Sequence, residues 1–357
     1  MTARRDALEA KLAERELDAL LVSNLVNVRW LTGFTGSNGV AVVGAGAPRF
    51  VTDFRYLTQS AEQLDLSWER EIATELLARV VEGLPDGPLK LGFDDAPLTV
   101  KQHEQLARLT ADRDIELVAA GGIVEGLRAV KDAAEIERVR AAAKVADEAF
   151  EEVVGAGIVG RTERDVALDL EIAMRRRGAE AASFHPIVAA ADHGARPHAE
   201  PRDVPIPPNP LVVIDWGAQL DGYASDCTRT VATGELDPRD REIYDTVLAA
   251  QEAALAAVRA GPTGQEVDAV ARAIIDDAGH AEHFGHGLGH GVGMEVHEGP
   301  RLSKQGKDPL AAGNIVPIEP GIYVPGAVGV RIEDLVAVTA DGREVLSGLP
   351  KALRTVH

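Results

Sequence analysis

Five residues in the second half of the chain are of types that bind divalent metal ions. Four are carboxylates and one is an imidazole: Asp215, Asp226, His290, Glu319 and Glu333. A ligand set that is rich in carboxylates and free of thiolates suits Mn²⁺, Mg²⁺, Co²⁺ or Zn²⁺. Because four carboxylates exceed the charge that one divalent ion needs, the set indicates two ions, roughly 3.5–4 Å apart, that share bridging carboxylates.

Such a pair of ions is suited to hydrolysis. It lowers the pKa of a bridging water towards neutrality, makes hydroxide available to attack a carbonyl carbon, and polarises that carbonyl. Histidines that are not ligands can then bind the substrate and stabilise the tetrahedral intermediate. His286 and His297 flank His290 in the segment FGHGLGHGVGMEVHE and are candidates for that role.

The aspartates and the histidines each allow a simpler interpretation when they are taken alone. Asp215 ends an apolar strand and Asp226 follows an Asp-Gly turn, so both could be surface acids of a hairpin. The segment 284–298 could be a flexible loop that is rich in histidine. However, glycine occupies every second position from 285 to 293, and this spacing suits the close approach of another backbone or of an ion.

The two glutamates also have an alternative explanation. Glu319 and Glu333 each lie in an apolar, strand-like run, IVPIEPGIYV and GVRIEDLVAV. A buried glutamate without a partner is strongly destabilising or takes up a proton, so each side chain needs a cation. That cation could be an arginine such as Arg331, or it could be a metal ion. The combination of all five residues favours metal ions.

The elements that carry these residues are predicted from hydrophobic periodicity. The second half has helical patterns at about 162–177, 238–260 and 264–278, and β-rich stretches at 211–233, 283–297 and 315–340. This mixture predicts an α+β domain. The residues before about 120 alternate between helical and strand patterns, which predicts an α/β layer. Glycines at 121, 122 and 126 predict a hinge, so we expect domains at 1–122 and 123–357.

Composition and charge narrow the class of protein. The chain has 357 residues, which predicts two domains. Its 57 acidic and 37 basic residues give a net charge of −20, so nucleic acid and anionic membrane surfaces are not expected partners. The sequence has one cysteine, Cys227, and no apolar run long enough to cross a bilayer. Its first 22 residues lack the apolar stretch of a signal peptide, so none is expected. These features predict a cytoplasmic enzyme.

The order in which the five candidate ligands occur resembles that of the pita-bread metallopeptidases, which include methionine aminopeptidase, aminopeptidase P and prolidase. The resemblance covers essentially the whole chain and rests on the motifs HGLGHGVGMEVHE, IEPGIY and GVRIED. It implies an α/β N-terminal domain followed by an α+β pita-bread catalytic domain of the creatinase and aminopeptidase type.

The resemblance also implies a role for each candidate ligand. Asp226 and Glu333 would bridge two metal ions. Asp215 would bind one of these ions, and His290 and Glu319 would complete the coordination of the other.

Four further residues match catalytic positions of the family. His286 and His297 would contact the substrate and the reaction intermediate. His198, in the segment HGARPHAEP, would lie at the substrate pocket, although His193 is close by in the sequence. Arg331 would brace the metal-binding acids.

The first half of the chain narrows the resemblance to the proline-specific members of the family. The segments WLTGFTGSNG at 30–39 and TDFRYLTQS at 52–60 are similar to those of aminopeptidase P and its smaller relatives. We therefore expect an Xaa-Pro aminopeptidase that removes the first residue from a proline-containing peptide. Proline lacks an N–H and fixes its own backbone geometry, so ordinary peptidases cleave the bond before it poorly.

Other functions stay open beside this one. A prolidase, or Xaa-Pro dipeptidase, would accept only dipeptides and would need a group that binds their free C-terminal carboxylate. An inactive pita-bread module that binds peptides or proteins, or a creatinase-like hydrolase without metal, should lack part of the ligand set, which is complete here. The resemblance implies a homodimer. Ligand hardness makes Mn²⁺ the expected metal, with Co²⁺ or Zn²⁺ as alternatives.

Overall fold

The computed structural model describes residues 2–357, and the chain forms two compact units. The first extends to Arg128 and the second is Ala129–His357. The domain boundary expected from the sequence, between 122 and 123, lies just before this division, at the start of a short helix that contacts the N-terminal helix. No helix within the described residues is both long enough and apolar enough to cross a membrane.

The first unit is an α/β layer, as the sequence predicts. Its helices are α1 (Thr2–Glu14), α2 (Leu25–Thr32), α3 (Leu57–Gln63), α4 (Leu76–Glu82), α5 (Val100–Thr110) and α6 (Ile123–Arg128). Its strands are β1 (Ala19–Val22), β2 (Gly39–Gly44), β3 (Arg49–Thr52), β4 (Glu69–Ile72), β5 (Leu89–Phe93) and β6 (Ile115–Ala119). They form a mixed sheet in the order β4-β3-β2-β1-β5-β6.

The second unit mixes helices with short antiparallel sheets. Its helices are α7 (Ala133–Gly155), α8 (Glu163–Arg176), α9 (Pro238–Ala257) and α10 (Gly264–Asp277). Its first strands are β7 (Ala181–Ala182), β8 (Ile187–Ala190), β9 (Leu211–Trp216), β10 (Ala218–Leu220), β11 (Tyr223–Ala224) and β12 (Cys227–Ala232). The others are β13 (Gly289–Gly291), β14 (Glu298–Leu302), β15 (Ile315–Ile318), β16 (Gly321–Val324), β17 (Val328–Arg331), β18 (Asp334–Val338) and β19 (Arg343–Val345).

Helix α7 shows how local sequence and packing agree in this unit. It begins at a capping box, in which Asp132 accepts from the backbone of Glu135 and the Glu135 side chain bonds back to the cap. Apolar residues spaced by three and four then line one face of the helix. The buried residues of this stripe are Val139, Ala143, Ala146 and Phe150.

The hairpin that joins β9 to β12 turns at Asp221-Gly222. Both residues have positive φ, 53° and 80°, which is the geometry of a tight hairpin turn. Beyond this turn β12 pairs antiparallel with the whole of β9. The side chain of Trp216 leaves β9 on the face opposite Asp215, since residues alternate along a strand, and its ring stacks on Phe150 with centroids 4.3 Å apart.

Strand β13 tolerates only glycine at two of its positions. A Cβ atom at Gly289 would collide with the carbonyl oxygen of Pro317, and a Cβ atom at Gly291 would collide with that of Gly299. The alternate glycines of the histidine-rich segment therefore let neighbouring backbones approach closely, as their spacing predicts.

The final residues of the described chain are part of the core of the second unit. The Ala232 N–H donates to the carbonyl of Arg354 at 2.9 Å, and the Val356 N–H donates to the carbonyl of Ala232 at 2.8 Å. The Ile158 N–H donates to the carbonyl of His357, also at 2.8 Å. Residues 354–357 thus pair with β12 and with the segment that follows α7.

Truncation of a core leucine on α8 should destabilise the second unit. Leu170 is fully buried, so Leu170→Ala removes apolar contacts and leaves a cavity. We expect the free energy of unfolding to fall by about 2–5 kcal/mol, measured by urea denaturation.

Leu168, on the same helix, supplies the matched control. Its side chain is 53% exposed, so Leu168→Ala should change the free energy of unfolding by less than about 0.5 kcal/mol. Equal losses from the two substitutions would show that Leu170 does not belong to the core of the second unit.

Candidate metal centre

Three of the predicted ligands meet where β9, β12 and β17 lie side by side. Asp215 is the fifth residue of β9, and its Cα partner on β12 is Thr228. Asp226 directly precedes β12. Glu333 follows β17, and its N–H donates to the carbonyl of Thr228 at 3.1 Å. One oxygen from each of the three carboxylates lies within 4.8 Å of the other two.

The two remaining predicted ligands close the same cluster. His290 lies in β13 and Glu319 follows β15. The His290 Nε2 atom is 3.6 Å from Asp226 Oδ2 and 3.5 Å from Glu319 Oε1. The structure therefore brings all five predicted ligands together.

The two glutamates sit differently from the sequence-based prediction. Glu319 and Glu333 were expected inside strands, but each occupies the junction between two strands, β15–β16 and β17–β18. Their backbones still pair with neighbouring segments, because the Glu319 N–H donates to the carbonyl of Leu288 at 2.9 Å. Each junction turns a carboxylate towards the cluster while the backbone stays hydrogen-bonded.

Burial and mutual repulsion perturb the acids of the cluster. Burial, followed by the charges of neighbouring carboxylates, raises the pKa of Asp226 and that of Glu319 well above their ordinary values. Burial, and then the charge of Asp215, raises the pKa of Glu333 to about 8. Without a bound cation, burial and repulsion therefore favour the protonated forms of these acids, and Glu333 holds its proton at neutral pH.

Unused hydrogen-bonding capacity fits a bound cation. Asp215 Oδ1 and Glu333 Oε1 are buried, and neither has a hydrogen-bond partner among residues 2–357. A buried oxygen without a partner costs about 1–3 kcal/mol, and a metal ion would satisfy both atoms.

The tautomer of His290 also fits a metal ligand. Its Nδ1–H donates to the carbonyl of Gly291 at 3.0 Å, so Nε2 carries the lone pair that faces Asp226 and Glu319. Burial lowers the pKa of His290 to about 4, which keeps the ring neutral. A neutral imidazole whose second nitrogen is held by a carbonyl is the usual arrangement of a metal-binding histidine.

Arg331 braces the acidic cluster from the side of β17. Its Nη2 donates to Asp215 Oδ2 at 2.6 Å, and its Nε donates to Thr228 Oγ1 at 3.0 Å. Its Nη1 donates to the Tyr323 hydroxyl at 2.8 Å and to the carbonyl of Pro197 at 3.2 Å. The side chain is buried, so this one cation is fixed in position against the acids.

The other predicted histidines line the same cavity. His286 Nδ1–H donates to the carbonyl of Gly287, so its Nε2 accepts from the Tyr323 hydroxyl at 3.0 Å. The ring of His297 lies 4.4 Å from that of His290. Burial lowers the pKa of His297, and the nearby His198 lowers it further. His193 instead is buried against Glu163, so His198 is the histidine of its segment that faces the cavity.

A cavity of about 900 Å³ opens over the cluster. Its volume is within the range of about 300–1,000 Å³ that is typical of ligand pockets. Its lining includes four of the predicted ligands and three other predicted site residues: Asp215, Asp226, His290, Glu319, His286, His297 and Arg331. Further lining residues come from α8, from residues 184–187 and from residues 197–201, which include His198. The cavity therefore gives a ligand access to the acids.

Three residues that contribute to the cluster were not predicted as part of the site. Thr228 Oγ1 donates to Glu333 Oε2 at 2.7 Å. The Tyr323 hydroxyl links Arg331 to His286. Arg229 donates to the carbonyls of Glu333, Leu349 and Pro350, and to Asp334. The sequence could have indicated only Thr228 and Arg229, since they lie two and three residues after Asp226 on the same hairpin.

Family profiles match both units of the chain. Residues 137–340 match Metallopeptidase family M24, and residues 4–130 match the Creatinase/Prolidase N-terminal domain.

Individual relatives match nearly the whole chain. The uncharacterized peptidase YqhT of Bacillus subtilis is 39% identical over 94% of this chain and 95% of its own. The structure of an Xaa-Pro dipeptidase from Bacillus anthracis is 36% identical, with a TM-score of 0.94 and 99% of both chains covered. The structure of an X-Pro aminopeptidase from Thermotoga maritima is 33% identical and has a TM-score of 0.87. The match covers 96% of this chain and 99% of that one. The predicted two-domain pita-bread fold is confirmed.

The stability of the metal-free protein should fall as the pH rises from 6.5 to 8. Folded Glu333 keeps its proton up to a pKa of about 8, whereas its ordinary value is 4.5. The folded chain therefore binds more protons than the unfolded chain in this window, and the free energy of unfolding falls by up to about 1.4 kcal/mol per pH unit for one such group. We expect a falling midpoint of thermal unfolding in chelator-treated protein.

The variant Glu333→Gln removes the titrating group and keeps its shape, so this dependence on pH should weaken. His286 and His290, with pKa values lowered to about 4 in the folded chain, are partly protonated near pH 6.5 only in the unfolded chain, so they oppose the fall at the lower end of this window to the same extent in both proteins. A midpoint that depends on pH equally in the wild type and in Glu333→Gln would refute the protonated Glu333.

Proposed function

This chain belongs to metallopeptidase family M24, and we propose that it is an Xaa-Pro dipeptidase, or prolidase, that works with two divalent metal ions. The bond cleaved is the one between the first residue and proline. The observation that carries this proposal is that all five predicted ligands converge beside one cavity. Of the two solved structures described above, the Xaa-Pro dipeptidase has the higher TM-score to this fold.

The acids and His290 are the groups that would hold the metal ions. In this proposal Asp215, Asp226, His290, Glu319 and Glu333 would together hold the two ions. The two ions would supply a nucleophilic water at neutral pH and would polarise the scissile carbonyl. Four carboxylates against four positive charges leave the centre close to neutral, which suits a buried site.

The remaining side chains would bind the peptide and stabilise the negative charge that develops on its carbonyl oxygen. Burial lowers the pKa values of His286 and His297, so both rings are neutral, and His297 can donate a hydrogen bond to the substrate carbonyl without carrying a charge. His286, whose Nδ1–H bonds to the carbonyl of Gly287 and whose Nε2 accepts from Tyr323, would hold that hydroxyl beside Arg331. His198 faces the same cavity from residues 197–201. Arg331 holds Asp215 in place and adds a fixed positive charge near the position where an oxyanion forms.

The alternative is the Xaa-Pro aminopeptidase that the N-terminal segments predict. The similarity to the Thermotoga X-Pro aminopeptidase supports it. The higher identity and TM-score of the Bacillus anthracis dipeptidase favour the dipeptidase. The expected preference for Mn²⁺, the homodimer and the cytoplasmic location stay predictions.

Substrate length separates the two activities. Metal-stripped protein is assayed with Ala-Pro and with Ala-Pro-Ala, before and after addition of Mn²⁺. We expect metal-dependent cleavage of Ala-Pro and little cleavage of the tripeptide. Cleavage of Ala-Pro-Ala at an equal or greater rate would establish the aminopeptidase instead. If neither peptide is cleaved with any of Mn²⁺, Co²⁺ or Zn²⁺, the proposal of a peptidase fails.

Removal of a bridging carboxylate should abolish both activity and the metal pair. Asp226→Ala deletes an acid that lies 3.6 Å from His290 and within 4.8 Å of Asp215 and Glu333, so we expect activity to fall at least 1,000-fold, or roughly 4 kcal/mol of transition-state stabilisation. The bound metal, measured by elemental analysis, should drop from two ions to one or none.

A control from the same hairpin is Asp221→Asn, because Asp221 is exposed and asparagine tolerates its positive φ of 53°. This variant should keep its metal and its activity. Near-normal turnover by Asp226→Ala would mean that the two-metal assignment is wrong.

A further inference from the structure

We propose that Glu163 is a positioning residue that fixes His198 and the adjoining wall of the cavity. This inference rests on the proposed function, in which His198 contacts the peptide. Glu163 is the first residue of α8 and is 1% exposed. It is not a cavity-lining residue, and it was not among the residues predicted from the sequence.

One carboxylate ties together both ends of the segment that carries His198. At the start of the segment, His193 Nδ1 lies 2.9 Å from Glu163 Oε2. At its end, the backbone N–H of Arg202 donates to Oε2 at 2.9 Å, and its guanidinium donates to Oε2 at 3.0 Å and to Oε1 at 2.9 Å. The contiguous cavity wall, residues 197–201, lies between these two anchors.

The carboxylate is ionised, which makes these bonds strong. Burial opposes ionisation, but the hydrogen bonds from Arg202 and from backbone N–H groups outweigh it and lower the pKa of Glu163. An ionised carboxylate only accepts hydrogen bonds, so the Nδ1 of His193 carries the proton. Charge-assisted bonds of this kind are about twice as strong as neutral ones.

The backbone beside Glu163 adds to the same attachment. The Ala190 N–H donates to Glu163 Oε1 at 3.0 Å, and the next residue, Ala191, has a φ of 57°. A positive φ is strained for alanine and persists where the surroundings enforce it. The Glu163 N–H in turn donates to the carbonyl of Val204 at 3.2 Å. The segment 190–204 is thus held to the start of α8 from both sides.

The held segment also contacts the metal-binding cluster directly. The carbonyl of Pro197 accepts from Arg331, the side chain that braces Asp215. A shift of the segment would therefore move both His198 and one of the bonds that fix Arg331. Displacement of a catalytic contact by about 1 Å costs about 100-fold in rate, so a residue with no substrate contact can still control turnover.

Hydrogen–deuterium exchange of the metal-free protein tests the attachment without any assay of activity. Glu163→Gln keeps the size of the side chain but removes its charge and replaces one acceptor with a donor. We expect faster exchange in residues 193–204 of this variant. The matched control is Glu71→Gln, since Glu71 is a half-buried acid of the first unit that pairs with Arg49 and Arg79. It should leave exchange in 193–204 unchanged. Unchanged exchange in Glu163→Gln would overturn the proposal.

A double-mutant cycle tests whether Glu163 acts through His198. We expect Glu163→Gln alone to lower kcat/KM about 10- to 100-fold. In the His198→Ala background the same substitution should cost a clearly smaller factor, because only the effect through Pro197 and Arg331 remains. Losses that multiply would show a general structural effect and overturn the proposal, as would full activity of His198→Ala. If wild-type protein cleaves no Xaa-Pro peptide, the proposed function fails, and the exchange experiment still decides whether Glu163 holds the segment.

Discussion

Repulsion among four carboxylates is the constraint on which the structure of the second unit depends. Asp215, Asp226, Glu319 and Glu333 come from four separate places in the sequence, and no fold would gather them unless something balances their charge. Arg331 balances part of it through Asp215, and Thr228 hydrogen-bonds to Glu333. The rest is left to protons or to metal ions, as the raised pKa values of the other acids show. Buried acids that the protein itself does not neutralise mark the site as one built for cations.

Glu333 and its neighbour Asp334 differ in whether fixed protein groups balance their charge. Successive side chains of an extended segment leave on opposite faces. Asp334 faces Arg229, Lys351 and Gln251, which contact its oxygens at 2.8, 2.7 and 3.2 Å. Its charge is therefore balanced by fixed protein groups. Glu333, on the other face, has an oxygen without any such partner among the described residues. The same strand end thus has one structural acid and one that is available to a ligand.

The sequence predicted the parts of the site that local patterns encode. Residue type and order were enough to predict five residues that the structure brings together, and an Asp-Gly pair was enough to predict the turn that returns β12 to β9. The histidine-rich segment was interpreted correctly from its alternate glycines. Each of these features is a property of one short stretch of chain. The apolar stripe of α7 was also predictable from local sequence, because its spacing follows from the geometry of a single helix.

The parts that were missed arise from pairing between distant segments. Thr228 and Tyr323 acquire their contacts because β12 and β16 both lie beside β17, which no local pattern predicts. The position of the glutamates at strand junctions was missed because apolar runs on both sides of each acid resemble one continuous strand. Glu163 resembles any acid in the first turn of a helix, and its role depends on a segment about 30 residues further along the chain.

The attachment of the final residues to β12 has a consequence for resistance to proteolysis. Arg229 bonds to the carbonyls of Leu349 and Pro350 and to that of Glu333, and residues 354–357 pair with Ala232 and Ile158. Ala232 is the last residue of β12, and Asp226 directly precedes the first residue of this strand. Proteolytic trimming of residues 354–357 would therefore remove backbone bonds from the strand that holds one of the acids in place, although none of the trimmed residues is a predicted ligand.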